Sequence, residues 1–465
     1  MTAATVAAGS APQSRVLGLW MCTALVVGNV IAVGIFILPA TLAPYGLNAL
    51  TGWLITVVGC SFLAVTFAYL SRVFPQDDGP YSYTKRAFGD GVAFTVMWCY
   101  WVSTWVTNAT IAVGVVGYLS VFIPSINSAP WLPPVVALSL LWFFVFLNLR
   151  GAIAVGWTQI VTTALKLLPM FGVICLGLWV LFTHPSDYLQ HVPPNPPSFA
   201  DVSGASTLAL YAMLGIECAT IPAGRVTNPE RTIPLATVIG TVLLAVIYVG
   251  VSVVPMLLIP QHALTASSAP FADLFAQILG ARSGEILALF VVIGGLGALN
   301  GWTMMLGEVT QGIARHGHFP TSLSKENRHG APTRALFVTG GIASVMLVTN
   351  YSQSIGGLFA FFSVVVTAAN LPLYFVCAAA IVVLQRQGKI PAVGTRAKLL
   401  AVSAVCAFAY CAYVSYGIGL KPLLWALALC AFGIPIYWFS RYQAVVPPSM
   451  AKSAPVTQVD SSEAR

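Results

Sequence analysis

Stretches of about 20 predominantly apolar residues recur along this 465-residue chain, at roughly 16–41, 48–71, 91–123, 131–150, 157–182, 205–222, 234–259, 283–315, 334–350, 356–384, 397–418 and 421–440. A run of that length reads as a membrane-spanning helix, because a hydrocarbon core of about 30 Å is crossed by ~20 residues at 1.5 Å each. In lipid, every backbone polar group must be satisfied within the chain, so repeated spans of this kind leave an all-α integral membrane bundle as the expected fold, here with twelve transmembrane helices. Only 7% of the residues are charged, which excludes an ordinary soluble domain. The net charge of +8 is scattered through short loops rather than gathered in a stripe, so no nucleic-acid partner is expected. All nine cysteines fall inside apolar segments, so neither a disulfide framework nor a metal cluster is expected.

Charge in the loops sets the orientation. With the amino terminus inside, 18 of the 21 Lys and Arg residues lie on the cytoplasmic side; Arg282 and Lys421 fall outside and Lys166 lies within a span. The positive-inside rule therefore predicts cytoplasmic termini in a cell inner membrane protein. Residues 1–15 and 441–465 read as short disordered tails with no cleavable signal peptide.

The first span is interrupted at Gly28-Asn29-Val30-Ile31-Ala32-Val33-Gly34-Ile35-Phe36. Unwound backbone at membrane depth is tolerated only where it is buried in protein or lines a cavity. Two readings are open. The glycines can admit a ligand to freed backbone amides, which favour an anionic group such as a carboxylate, or they can form a close helix-packing face. The sixth span carries a matching interruption, Tyr211-Ala212-Met213-Leu214-Gly215-Ile216-Glu217 and on to Pro222. The loop before the third span, Pro80-Tyr81-Ser82-Tyr83 to Phe88-Gly89, has a weak echo before the eighth in Pro270-Phe271-Ala272-Asp273 to Leu279-Gly280. Five spans separate the copies, so they have opposite membrane orientation, as inverted repeats require. This divides the chain into a first repeat (16–204), a second repeat (205–384) and two further helices (385–440), with broken helices 1 and 6 facing a midplane site.

These residues, together with Tyr100-Trp101, Asn108, Asn228-Pro229-Glu230-Arg231-Thr232-Ile233-Pro234 and Gly301-Trp302-Thr303, resemble the amino acid-polyamine-organocation superfamily. The likeness is greatest to its basic amino acid and polyamine antiporters, and it runs in order from about residue 17 to 442. It implies the leucine-transporter-like 5+5 inverted repeat and alternating access, with exchange of arginine for its decarboxylation product agmatine as the activity. It also implies a small-molecule amino acid or polyamine substrate, the bilayer as surroundings and no cofactor; a homodimer is possible by the same likeness. By the resemblance, Val30, Ala32, Val33 and Gly34 bind the substrate carboxylate, and Tyr211, Ala212 and Gly215 bind its amino group. Trp302 is an aromatic gate, Asn108, Ile111 and Ser363 are pocket contacts, and Tyr100 with Glu217 forms a deeper inner gate. Tyr81 joins the gate and proton-coupling set. The family's Gly-Ser-Gly is here Ala32-Val33-Gly34, which loses a hydroxyl, and Tyr211 stands where relatives carry Trp.

Glu217 within a span is a functional candidate because a charge at the bilayer centre costs at least ~2.5 kcal/mol; a neutral acid holding two helices together is the alternative. Trp302 can also be ordinary packing, and Asn108 interhelical glue. The six histidines lie in loops or at helix ends and suggest no relay through the membrane. Lys166 falls close to mid-membrane, roughly 14 Å along its helix from the cytoplasmic end. Glu308 lies at a comparable or slightly shallower depth, so the two are expected to share a cavity beside the first helix break, with Lys166 near the backbone carbonyls around Val30. A structural brace and a proton-coupling substitute for a bound sodium ion are both open for this lysine. The absence of a Walker motif argues against ATP as driver, and no nucleophile constellation suggests an enzyme. A proton-coupled permease for neutral or broad-range amino acids is the alternative function.

Overall fold

The computed structural model describes residues 16–75, 79–129, 131–190, 196–221, 223–349 and 355–445. Among them the only regular elements are helices, with one isolated parallel bridge between Leu17 and Val226. Ten segments are long and apolar enough to cross a membrane. The expected fourth and ninth spans coincide with α6 (Leu132–Asn148) and α14 (Thr333–Thr349), of 17 residues each, at the lower limit of spanning length.

The first span is two helices, α1 (Leu19–Val30) and α2 (Gly34–Leu42), separated by Ile31, Ala32 and Val33. It lies at the centre of the bundle: 94% of its apolar window is buried, against 11% for the segment Leu420–Trp438 at the periphery. Packed against it are α5 (Asp90–Phe122), α7 (Ala152–Thr183), α9 (Phe199–Met213), α10 (Pro229–Leu258), α13 (Ala281–Arg315) and α15 (Ile355–Arg386), with α3 (Asn48–Val73) and α16 (Thr395–Gly417) behind them. Short helices α4 (Gly79–Phe88) and α12 (Pro270–Leu279) precede the two longest, α5 and α13, at the positions of the paired loop motifs. Between α7 and α9 runs α8 (Pro185–Gln190), and α11 (Gln261–Ala266) precedes α12. Phe143, Trp157, Val246, Leu399 and Trp438 are exposed on the outside of the bundle, where lipid rather than water is the natural solvent.

Several expected boundaries move: the fifth span begins at Ala152 and the seventh at Pro229 rather than at 157 and 234. The sixth span begins with α9 (Phe199–Met213), six residues earlier than hydropathy suggests, because Ser198 caps it by accepting from the Asp201 amide at 3.3 Å. The last span is two helices, α17 (Leu420–Ala431) and α18 (Gly433–Val445), so residues 441–445 continue a helix rather than begin the tail. Residues 1–15, Pro222 and 446–465 lie outside the described set.

Gly28 separates the two readings of the helix 1 glycines. A Cβ there would collide with the Gln159 amide and the Thr163 hydroxyl of α7. Its role is thus close packing of α1 on α7, whereas a Cβ on Gly34 would meet Tyr211 Cε1 at 2.8 Å and so faces the other helix break. Gly28→Ala is expected to lower the melting temperature in detergent by an overpacking penalty of about 1–3 kcal/mol; an unchanged melting curve would show that α7 has room to spare.

Candidate functional site

Helix α9 stops at Met213, and Gly215 takes φ 110°, a conformation that L side chains rarely adopt. A side chain there would also crowd Val30, Cys218 and Trp302. The chain resumes only as single turns, Cys218–Thr220 and Ala223–Arg225, before α10. The two interruptions face one another across a small cavity of about 20 Å³ lined by Asn29, Val30, Ala32, Gly34, Ile35, Thr107, Tyr211, Ala212, Leu214 and Trp302. That volume admits about one water molecule, far below the several hundred cubic ångströms of a formed ligand pocket, so the cavity is closed around its centre.

Trp302 forms one wall. Its indole N–H donates to the Asn29 carbonyl at 2.9 Å, which ties α13 to the end of α1 and supplies a partner for a carbonyl freed by the break. Asn29 Oδ1 in turn accepts from Gln159 Nε2 at 3.2 Å. Tyr211 packs edge-on against Phe359 at 5.9 Å, and its hydroxyl faces Ser363 and Thr110. Asn108 is buried beside Thr107, and no described group donates to its Oδ1, leaving an acceptor for which a ligand donor would be a natural partner. Ile111 is fully buried in the same stretch of α5. Val33 is placed differently: its methyls fill the space over Gly114 and Gly295, toward α5 and α13, and its side chain is absent from the cavity wall. Replacing a hydroxyl-bearing residue with valine there changes helix packing, and any contact of residue 33 with a ligand falls to its backbone.

Glu217 is fully buried and accepts from Tyr100 at 3.0 Å through Oε1 and from Tyr374 at 2.7 Å through Oε2. Three elements meet at this carboxyl: α5, the helix 6 break and α15. The pairing of Tyr374 is invisible to local pattern because it lies 157 positions along the chain from Glu217. On the opposite end of the bundle a larger cavity of about 370 Å³ is lined by residues including Ile37, Thr41, Tyr45, Leu208, Thr265 and Ser267. Among the described residues no acidic side chain lines either cavity.

Lys166 is also fully buried, and its Nζ donates to the Gly28 carbonyl at 2.6 Å and the Ile31 carbonyl at 2.8 Å, on either side of Val30. The expected shared cavity with Glu308 does not form. Glu308 pairs with Arg225 at 2.9 Å and lines a separate small space with Asn148, Met304 and Gly330. Depth explains the difference: the Lys166 stem packs against Gly294 of α13, and Glu308 lies fourteen residues further along that helix, roughly 21 Å at 1.5 Å per residue, beside the Ala223–Arg225 turn.

Tyr81 lies at the mouth rather than at the cavity. Its hydroxyl donates to Asp90 Oδ1 at 2.6 Å and contacts His318 Nε2 at 3.1 Å, and its ring stacks on His316 at 3.8 Å. His318, although in a loop, is buried against Asp90 Oδ2 at 3.2 Å and against Phe94 and Tyr437.

Two broken helices enclosing a midplane cavity within a multi-pass bundle define a membrane transporter. The chain belongs to the amino acid permease family of the amino acid-polyamine-organocation superfamily, whose profile matches residues 17–454. It is 30% identical to a cadaverine/lysine antiporter of Escherichia coli strain K12, over 74% of this chain and 77% of that one. It is 30% identical to a putative arginine/ornithine antiporter of Bacillus subtilis strain 168, over 92% and 97%. A putrescine transporter of Escherichia coli strain K12 is 28% identical over the same shares.

Burial holds His318 below its ordinary range, aided by the nearby His316 and Lys85 and opposed by Asp90. The folded protein therefore takes up this proton less readily than the unfolded chain. The stability contribution is complete above the ordinary histidine value of about 6.5 and is lost as pH falls below it. His318→Gln is expected to flatten the decline in melting temperature between pH 7 and 5; an identical decline in both proteins would assign it to other groups.

Proposed function

We propose that this protein is a secondary exchanger of basic amino acids and the amines left by their decarboxylation, working by alternating access with both termini in the cytoplasm. The observation that carries this reading is the meeting of the two helix breaks at a cavity walled by Trp302 and Tyr211. Freed amides at the start of α2 suit a carboxylate, while the carbonyl of Leu214 at the helix 6 break suits an ammonium group. The aromatic faces suit a distal cation, with an attraction of ~0.5–2 kcal/mol. Lysine, cadaverine, arginine, ornithine and putrescine, the compounds for which the relatives are named, share an aliphatic chain ending in a cation. A neutral pocket that holds such a cation through π faces can take both an amino acid and its decarboxylated product, since neither requires a fixed counter-charge. Arginine and agmatine form one such pair, and their exchange would export a proton equivalent when a cytoplasmic decarboxylase consumes the imported substrate.

Val30, Ala32 and Gly34 with the backbone of Val33 hold the carboxylate in this reading, Tyr211, Ala212 and Gly215 flank the amino group, and Asn108, Ile111 and Ser363 shape the distal end. Tyr100, Glu217 and Tyr374 form the inner gate. Counterflow into proteoliposomes preloaded with lysine, arginine, their amines or leucine tests the substrate class: accelerated uptake with the cationic preloads and none with leucine is expected, and the reverse would overturn the reading. In the same assay Trp302→Leu should slow exchange about tenfold more than Trp302→Phe, because the gate needs an aromatic face.

The second reading, a proton-coupled permease for neutral amino acids, is favoured by one observation, the Lys166 ammonium seated on the carbonyls of the helix 1 break. A fixed cation there takes the place that a bound sodium ion would otherwise occupy. Transport is accordingly expected to be independent of sodium under both readings, and sodium stimulation of the unmodified protein would sink the assignment for Lys166. Net proton uptake accompanying leucine transport would select the permease reading.

A further inference from the structure

Arg225 ends the last single turn of the helix 6 break, and its side chain is only 10% exposed. Nη2 bonds Glu308 Oε1 on α13 at 2.9 Å and the Gly330 carbonyl at 3.1 Å, and lies 3.6 Å from Glu326 Oε1. Glu308 is 11% exposed; Glu326 is shared with Arg315 at 3.1 Å and Gln311 at 2.9 Å. The backbone of the same residue is equally engaged. Its carbonyl accepts from the amides of Val16 at 2.9 Å and Leu17 at 2.8 Å, and the Leu17 carbonyl accepts from the Thr227 amide and hydroxyl. One residue thus joins the entry to α1, the helix 6 break, α13 and the 316–332 loop. These are the parts that must separate if the central cavity is to open toward the termini.

We propose that Arg225 with Glu308 is a positioning pair that locks the cytoplasmic mouth, a closure in series with the Tyr100–Glu217–Tyr374 contact and distinct from it. The proposal rests on the alternating-access reading and the orientation given above. Opening requires the ion pair to be broken or rehydrated, and a pair this shielded is held more firmly than a surface one, because removing either partner strands the other out of water. Its strength therefore sets how the protein divides its time between the state closed to the cytoplasm and the state open to it. Weakening the pair should move that balance inward and change the apparent affinity on the two faces in opposite directions.

The test uses the full chain reconstituted in one orientation. Arg225→Gln and Glu308→Gln are each expected to lower the cytoplasmic KM and raise the external KM, changing their ratio by about tenfold. The double variant should do no more than either single one, and the charge-swapped Arg225→Glu/Glu308→Arg protein should return toward the wild-type ratio. Additive single effects, or equal changes on both faces, would overturn the lock. Arg225→Lys keeps the charge but not the planar guanidinium that sets Nη2 between Glu308 and Gly330; it serves if the glutamine variants are not recovered, with an intermediate ratio in support and a wild-type ratio against. Hydrogen exchange of residues 16–18 and 226–228 stands independently of any substrate. Exchange at least several-fold faster in the variants supports the lock, and unchanged exchange there overturns it even if the transport reading holds.

Discussion

The structure depends on how the helix 1 break is satisfied. Interrupting a helix inside lipid frees carbonyls and amides that would each cost several kcal/mol if left bare. Here the carbonyls of Gly28 and Ile31 receive the Lys166 ammonium, and that of Asn29 receives the Trp302 indole. Two helices, α7 and α13, are thereby tied to the break by side chains that bear directly on the candidate site. The packing is built for this approach: Gly28 lets Gln159 and Thr163 come close, and Gly294 lies against the Lys166 stem. What remains of the break, the amides at the start of α2 and the space beside Tyr211, is left facing the cavity.

On the proposed cycle, closure is graded along the path to the cytoplasm. At the cavity itself it is aromatic, with Trp302 bonded to Asn29. One layer further it is a carboxyl held by two phenols, and at the mouth it is an ion pair reinforced by backbone bonds to the entry of α1. Each layer includes α1 or the helix 6 break, so none can open without shifting one of them. The other end of the bundle carries no comparable arrangement among the described residues, and its larger cavity ends in hydroxyl-bearing side chains of Thr41, Tyr45, Thr265 and Ser267.

The sequence by itself determined the class of fold, because apolar runs of membrane length admit few alternatives, and it located both interruptions, because clustered glycines and an acid within such runs disfavour an unbroken helix in lipid. It also singled out Glu217, Trp302 and Lys166, since charged and large aromatic groups at mid-span stand out against an apolar background. What only the tertiary structure decided is which groups meet. Residue count puts Lys166 and Glu308 at similar depths, yet the Lys166 stem lies level with Gly294, fourteen positions from Glu308 along α13, because helix ends and offsets are set by packing; and the direction a side chain faces depends on helix rotation, which hydropathy does not encode when a helix is apolar all round. For the same reason Val33 turned toward Gly114 and Gly295, Tyr374 closed on Glu217, and loop residue His318 became buried. Arg225 looked like one more positive charge in a cytoplasmic loop until the fold placed Glu308 beside it. Such pairings join residues more than 80 positions apart, and only packing brings them together.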